Sequence, residues 1–212
     1  MPVFHSWQKN RGFRLARSRN RAIARATGDY LILVDGDVVL EKHFIEDHLA
    51  FCRPGFFIQG TRVLLSSDLS ARVLERKKMV QAFCTKGVKN RKNCLRSTLL
   101  ARLFSLTSRS LVGVKTCNFA FYKKDAIAVN GFNEEFVGWG REDSEFTVRL
   151  LNSGIKRQNM KFKGLVYHLY HPMNDRTRLQ HNDDILQETI ARKLTWCNKG
   201  IDQYLRSSPE RG

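Results

Sequence analysis

Asp35 and Asp37 flank a single glycine directly after the apolar run Tyr30-Leu31-Ile32-Leu33-Val34. Two carboxylates one residue apart repel each other unless a cation sits between them. Hard oxygen ligands of this kind suit Mg2+ or Mn2+, with substrate phosphates completing the shell, and Gly36 leaves the backbone free to bring both acids toward one ion. Taken alone, the same triplet is also what a solvated turn after a strand presents. A second constellation is Gly138-Trp139-Gly140-Arg141-Glu142-Asp143. Its glycines permit an unusual backbone path, the indole offers a flat face to a sugar ring, and the two acids open a helix where the macrodipole favours them. Stabilising that helix start is the plainer role for Glu142 and Asp143, as core packing is for Trp139. The third is Tyr167-His168-Leu169-Tyr170-His171-Pro172. If this segment is extended, His168 and His171 face opposite sides; if it turns, both reach one point, and one imidazole could join Asp37 on a metal.

Positioning these groups requires strands that end where they begin. Four consecutive aliphatics before Asp35 predict a strand buried on both faces, the usual state of a central strand in a parallel sheet, and such strands deliver ligand-binding residues from their carboxyl ends. Before it, Leu15, Ala16, Ala22, Ile23 and Ala26 share one face of a helix over 14–26, with Gly28 as its stop. Further helices are predicted over 41–51, 68–84, 142–151 and 182–198, and a short one from Lys123. Strands are predicted over 56–58, 61–65, 117–122, 156–162 and 165–169, with a polar basic loop over 86–97. Helices and strands alternate early and mix later, which makes the chain α/β with an irregular C-terminal half.

The 212 residues suffice for one good core, and 42% hydrophobic with 10% aromatic content excludes a disordered chain. No apolar stretch is long enough to cross a bilayer, and no secretory signal precedes the first helix. Cys52, Cys84, Cys94, Cys117 and Cys197 lack CxxC spacing and read as reduced thiols, so a cytoplasmic location is expected and a zinc site is not. The net charge of +17 calls for an anionic partner. Between Ala71 and Ser110 there are eleven Lys or Arg and one acid, Glu75. Leucines are interleaved there, so 96–106 could form a basic amphipathic helix on the inner face of an anionic membrane; the alternative is a surface helix packing Leu99, Leu103 and Leu106 on the core. No nucleic-acid motif accompanies the charge, and nucleic acid is not expected as a partner.

Taken together, these motifs resemble family 2 glycosyltransferases of the GT-A fold, in the branch with a galactosyltransferase-type C-terminal region. The match runs through Gly12-Phe13-Arg14, Arg19-Asn20-x-Ala22-Ile23 and Gly28-Asp29-Tyr30 to Asp35-Gly36-Asp37. It continues through Cys117-Asn118-Phe119-Ala120, Asn130-Gly131-Phe132-Asn133-Glu134 and Gly138–Asp143 to Tyr167–His171. The resemblance implies a GT-A-like, mixed but mainly parallel central sheet over residues 1–175, a basic insertion at 68–112 and a helical tail over 176–212. It implies transfer of a sugar, with inversion, from a nucleotide diphosphate donor, UDP-linked hexose or N-acetylhexosamine, to a surface glycan such as lipopolysaccharide or capsule. By the same resemblance Asp35 and Asp37 match the metal motif, His171 or His168 completes the shell, Asp143 is the base and Glu142 helps bind the acceptor. Arg19 and Asn20 lie on the nucleotide side, and Asn118, Gly138, Trp139 and Gly140 line the donor–acceptor cleft. Relatives of this type open with a strand–loop–strand that grips the uridine. Nothing in residues 1–212 corresponds to it, so about one βαβ unit is expected to be missing. A remnant that binds glycan or membrane without turnover is the alternative that this departure raises.

Overall fold

The computed structural model describes residues 3–9, 12–77, 84–172 and 176–205. Helix α1 (Leu15–Arg25) buries Ala16, Arg19, Asn20 and Ile23. Of the face that the sequence predicts, Ala16 and Ile23 are buried, Leu15 and Ala26 are half-buried and Ala22 is exposed, because Arg19 and Asn20 take the inner positions through their side-chain hydrogen bonds. Strand β1 (Tyr30–Val34) follows, and Asp35-Gly36-Asp37 carries the chain into β2 (Val38–Leu40). Next come α2 (Phe44–Phe51), β3 (Phe56–Gln59), β4 (Val63–Leu65) and α3 (Ser67–Arg76). The Ser66 hydroxyl caps α3 by accepting from the Leu69 N–H. The helix predicted over 68–84 thus ends at Arg76, and 78–83 lie outside the described residues.

The basic stretch contains β5 (Val88–Lys89), a 3-10 turn at Arg91–Cys94, α4 (Thr98–Phe104) and β6 (Thr107–Ser108). It does not stand apart from the fold, because β5 pairs with β4 and β6 pairs with β8. The remaining elements are β7 (Asn118–Tyr122), α5 (Lys123–Ala128), α6 (Glu142–Asn152), β8 (Lys156–Asn159), β9 (Val166–His168), α7 (Leu179–Ala191) and α8 (Asp202–Leu205).

The described strands form two mixed sheets, ordered β1-β7-β3-β8-β6 and β2-β9-β4-β5. Only β3–β8 and β4–β9 pair in parallel; the other described pairings are antiparallel, which corrects the mainly parallel sheet expected. Strand β1 is likewise not a central parallel strand. It lies at the end of its sheet's described order and pairs antiparallel with β7. Its aliphatic run still has a cause: Leu31 and Leu33 pack on the cluster of Phe57, Phe119, Phe121 and Phe146, while Tyr30 and Ile32 pack on Ile58, Ala120 and Met160. Both faces are thus covered only in part: Tyr30 to Leu33 are half-buried and Val34 is exposed, which also corrects the strand buried on both faces that the run predicts.

The chain after residue 175 shares the main core. Ile201 is fully buried in the Phe119–Phe146 cluster, and the Asn130 side-chain amide donates to the Cys197 carbonyl at 2.8 Å. Helix α7 starts at Leu179 and stops at Ala191, earlier at both ends than the predicted 182–198.

Candidate active site

The cleft forms where the first sheet passes the chain to the second. Strand β1 ends at Val34 and β2 begins at Val38, so Asp35-Gly36-Asp37 is the bridge between the sheets. Strand β2 pairs antiparallel with β9, with Val38 opposite His168, and the Leu169 N–H donates to the Asp37 carbonyl at 2.9 Å. This register brings the acid triplet beside the histidine segment.

Beyond β9 the chain leaves the ladder, and both histidines reach Asp37. His168 Nε2 lies 3.5 Å and His171 Nε2 3.2 Å from Asp37 Oδ2. Each ring's other nitrogen faces a backbone carbonyl: His168 Nδ1 contacts Leu169 O at 2.9 Å and His171 Nδ1 contacts Pro172 O at 2.7 Å. A carbonyl can only accept, so each ring carries a proton on Nδ1, which leaves Nε2 as the atom that could bind a cation beside the carboxylate. Backbone orientation of the distal nitrogen is how imidazole metal ligands are usually fixed. Burial also lowers the pKa of His168, with Asp37 opposing, which favours the neutral ring. Asp37 Oδ1 is buried without a hydrogen-bond partner among the described residues. The three ligand atoms lie within 4.8 Å of one another. One carboxylate, two oriented imidazoles and an orphaned oxygen could hold a divalent cation.

Asp35 takes a different partner. Its Oδ1 accepts from Arg19 Nη2 at 3.1 Å, and Arg19 Nη1 lies 3.5 Å from Glu142 Oε1. The guanidinium therefore links the acid triplet to the start of α6. A side chain at Gly36 would meet open space, so the conformational freedom of glycine is not what separates the two acids.

Glu142, Asp143 and Glu145 all lie in the first turn of α6, after Arg141 in the left-handed region at φ 78°. The Ser144 N–H donates to Asp143 Oδ1 at 2.7 Å. Burial pushes the Glu142 carboxyl up to about 7; Asp143 adds to the shift and Arg19 only partly offsets it. Asp143 is raised for the same leading reason, with Arg19 and the Ser144 N–H opposing. Glu142 Oε2 is buried and has no partner among the described residues.

The Gly138–Gly140 loop is pressed against the N-terminal end of α7. Gly138 and Gly140 have φ of +84° and +103°, and a Cβ on Gly138 would come 2.9 Å from Arg178 Cβ. Asn182 Nδ2 donates to Gly140 O at 3.0 Å. Trp139 is half-buried, with the Arg176 guanidinium 5.0 Å from its ring centre. Asn182 and Arg178 carry no motif of their own, and sequence reasoning passed over them.

A cleft of about 650 Å³ gathers Arg19, Asp35, Asp37, Trp139, Glu142, Asp143, His168 and His171, together with Arg62 and Lys115. Trp139, Glu142 and Asp143 also line an adjoining cavity of about 260 Å³, so the acid pair faces two spaces. Gly140 lines only the adjoining cavity, Gly138 lines neither space, and two further candidates lie away from the cleft. Asn118 is fully buried; its amide donates to Thr61 O and Gly164 O, each at 2.8 Å, and accepts from His48. Asn20 is also fully buried, binding the Phe132 backbone from both sides and Glu134 Oε1 at 3.0 Å. Both amides hold loops that shape the cleft, and neither lines it.

A mixed α/β fold with carboxylates and imidazoles gathered at strand ends is the GT-A architecture of glycosyltransferases. Two solved structures share it: S. aureus TarS 1–349 in complex with UDP (17% identity, 90% of this chain and 48% of that one, TM-score 0.52), and GalNAc-T7 with UDP, GalNAc and Mn2+ (11% identity, 91% and 43%, TM-score 0.52). The chain belongs to glycosyl transferase family 2, whose family model matches residues 3–128, and residues 103–172 match the N-terminal domain of galactosyltransferase. A chondroitin synthase from Escherichia coli is 26% identical over 182 residues, which are 76% of this chain and 26% of that protein. The chain therefore spans about a quarter of that relative's length and under half of the two solved chains.

Proposed function

We propose that this chain transfers a hexose or N-acetylhexosamine unit, with inversion, from a UDP-linked donor to a hydroxyl of a surface glycan such as lipopolysaccharide or capsule. The observation that carries this reading is one cleft lined both by Asp37, His168 and His171 and by Asp143. The first three would hold a divalent cation, and two imidazoles in the donor set favour Mn2+ over Mg2+. Bound there, such an ion supplies Lewis-acid stabilisation to the leaving diphosphate. Asp143 accepts the proton of the acceptor hydroxyl as its oxygen bonds to the anomeric carbon. The bond from that carbon to the diphosphate oxygen breaks, and its electron pair leaves with UDP. A base is needed because a sugar hydroxyl is a poor nucleophile near neutral pH, and single displacement inverts the centre. Arg19 keeps Asp35 and Glu142 in register, and Glu142, with its unpartnered Oε2, receives an acceptor hydroxyl.

Asp143→Asn is expected to abolish Mn2+-dependent turnover of a UDP-sugar, while UDP binding and the circular dichroism spectrum stay as in the parent. Unchanged turnover would overturn the base assignment. A folded protein with no UDP binding in the presence of metal would favour a glycan-binding remnant instead.

Peripheral contact with the inner, anionic face of the cytoplasmic membrane belongs to the same reading. On α4 and just after it, Leu99 and Leu103 are 68% and 60% exposed, and Phe104 and Leu106 are exposed as well. The core-packing alternative for these leucines is not realised: α4 buries Ala101, half-buries Leu100 and sets the Phe104 ring 5.8 Å from that of Phe162, while Leu99, Leu103 and Leu106 face solvent. Arg102 and Arg109 flank the apolar face, the pairing of charge and hydrocarbon that suits anionic lipid. No helix among the described residues is long and apolar enough to cross a membrane.

A further inference from the structure

Beside the cleft lies a second cavity of about 290 Å³, on the side of β3 and β8 where both parallel strands end. Arg62, Lys115, Arg157 and Lys161 line it with Asn90 and Asn93, and no carboxylate does. Among the described residues none of these four cations is within ion-pair distance of an acid. Four like charges around one small space repel unless an anion enters.

The pocket is built, and it is more than a patch of surface lysines. Arg157 is 5% exposed; its Nη1 donates to the carbonyls of Ser110 and Val112, and its Nε is buried with no partner among the described residues. A buried guanidinium nitrogen without an acceptor is costly. Gln59 fixes Lys115 by donating to its carbonyl at 2.9 Å and accepting from its N–H at 3.0 Å. Arg62 and Lys115 line the cleft as well as this pocket, so the two spaces adjoin.

We propose that this pocket is an acceptor subsite for an anionic group, a carboxylate or a phosphate carried by the glycan next to the hydroxyl that is glycosylated. The inference rests on the glycosyl-transfer reading and narrows its acceptor to acidic glycans. The chain's positive charge then has a role inside the site as well as on the surface. Guanidinium and ammonium groups with two amides match such oxygens in charge and donor count.

The probes are methyl glucuronide, glucose 6-phosphate and methyl glucoside, titrated calorimetrically into the full chain with and without saturating UDP and Mn2+. At least one anionic sugar is expected to bind about tenfold or more tightly than the neutral one, and which one it is separates carboxylate from phosphate. Lys161→Gln on the rim and Arg62→Gln at the junction should each weaken that preference several-fold, and raised salt should weaken it too. Their melting temperatures report retained folding, and Lys161, being exposed, keeps the test valid if Arg62→Gln is destabilised. Equal binding of charged and neutral sugars, or displacement of the anionic sugar by UDP, would overturn the subsite. UDP binding without anionic preference sinks this proposal alone. Anionic preference without UDP binding sinks the transferase reading and leaves the anion site standing.

Discussion

The Leu169 N–H donates to the carbonyl of Asp37 at 2.9 Å, one ladder step beyond the Val38–His168 pair. That bond sets which residues meet: His168 ends β9 beside Asp37, and His171, past the end of the strand, reaches the same carboxylate. If these three hold the cation, each contributes one ligand. His171→Ala should then weaken Mn2+-dependent UDP binding about 10- to 100-fold, and Asp37→Asn by at least as much. Asp35→Asn, in a residue paired with Arg19, should have a smaller effect on metal titration. Calorimetry over a Mn2+ series checks all three, and equal losses for Asp35 and Asp37 would return both acids to the metal.

Glu142 makes stability depend on pH. Its carboxyl is pushed up to about 7 by burial, with Asp143 adding to the shift, whereas an unfolded glutamate titrates near 4.3. Between these values the folded state binds the extra proton, so stability falls as pH rises from about 4.3 through 7. Glu142→Gln removes that loss. The variant should match the parent at pH 4 and be more stable at pH 8, by on the order of 3–4 kcal/mol. Urea unfolding at the two pH values measures the difference, and a constant gap would show that Glu142 titrates normally.

Local signals made much of this architecture legible before any contact was known. The aliphatic run of β1, the one-face pattern of α1 and the acid-led start of α6 each follow from short-range chemistry, and each element forms close to where it was read. Pairing was less legible. Strand β2 is three residues long and hidden behind the acid triplet, and only β9, more than a hundred residues later, makes it a strand. The sequence left open whether His168 and His171 could meet; the end of β9 at His168, which frees the chain beyond it from the strand, decides it. The stop of α7 carries no glycine. Lys193 supplies the left-handed residue at φ 50°, and the Leu194 N–H closes back on Thr189 O. Asn118 and Asn20 look like cleft residues because they sit inside motifs, yet their amides are consumed by backbone groups. The basic pocket was invisible because Arg62, Lys115 and Arg157 are brought together only by the sheet.

Helix α4 offers leucine and phenylalanine to solvent next to arginine, so binding to lipid should need both apolar and anionic components. Co-sedimentation with phosphatidylglycerol–phosphatidylcholine vesicles should exceed that with pure phosphatidylcholine. The double change Leu99→Ser and Leu103→Ser should lower it about tenfold or more, since each fully inserted side chain contributes roughly 1.5–3 kcal/mol. The same pair should leave unfolding stability within about 0.5 kcal/mol, because both side chains are already exposed. Binding that ignores lipid charge or survives the double change would remove the membrane role of this face.

The Gly-Trp-Gly loop is held from behind by α7, so residues outside every motif should control turnover. Asn182 is fully buried and donates to Gly140 O at 3.0 Å and Val137 O at 3.4 Å. Asn182→Ala frees both carbonyls at a cost of about 1–2 kcal/mol and lets Trp139 and the acid pair drift. Misplacement by a fraction of an ångström lowers rates far more than it lowers stability, so kcat should fall about 10- to 100-fold with little change in the KM for the donor. Gly138→Ala should be worse. It adds a Cβ 2.9 Å from Arg178 Cβ, an atom that moves only with its backbone, and forces alanine to φ +84°. A parent-like kcat in both variants would mean that α7 merely covers the loop; loss of kcat with UDP binding intact would show that it positions the proposed base.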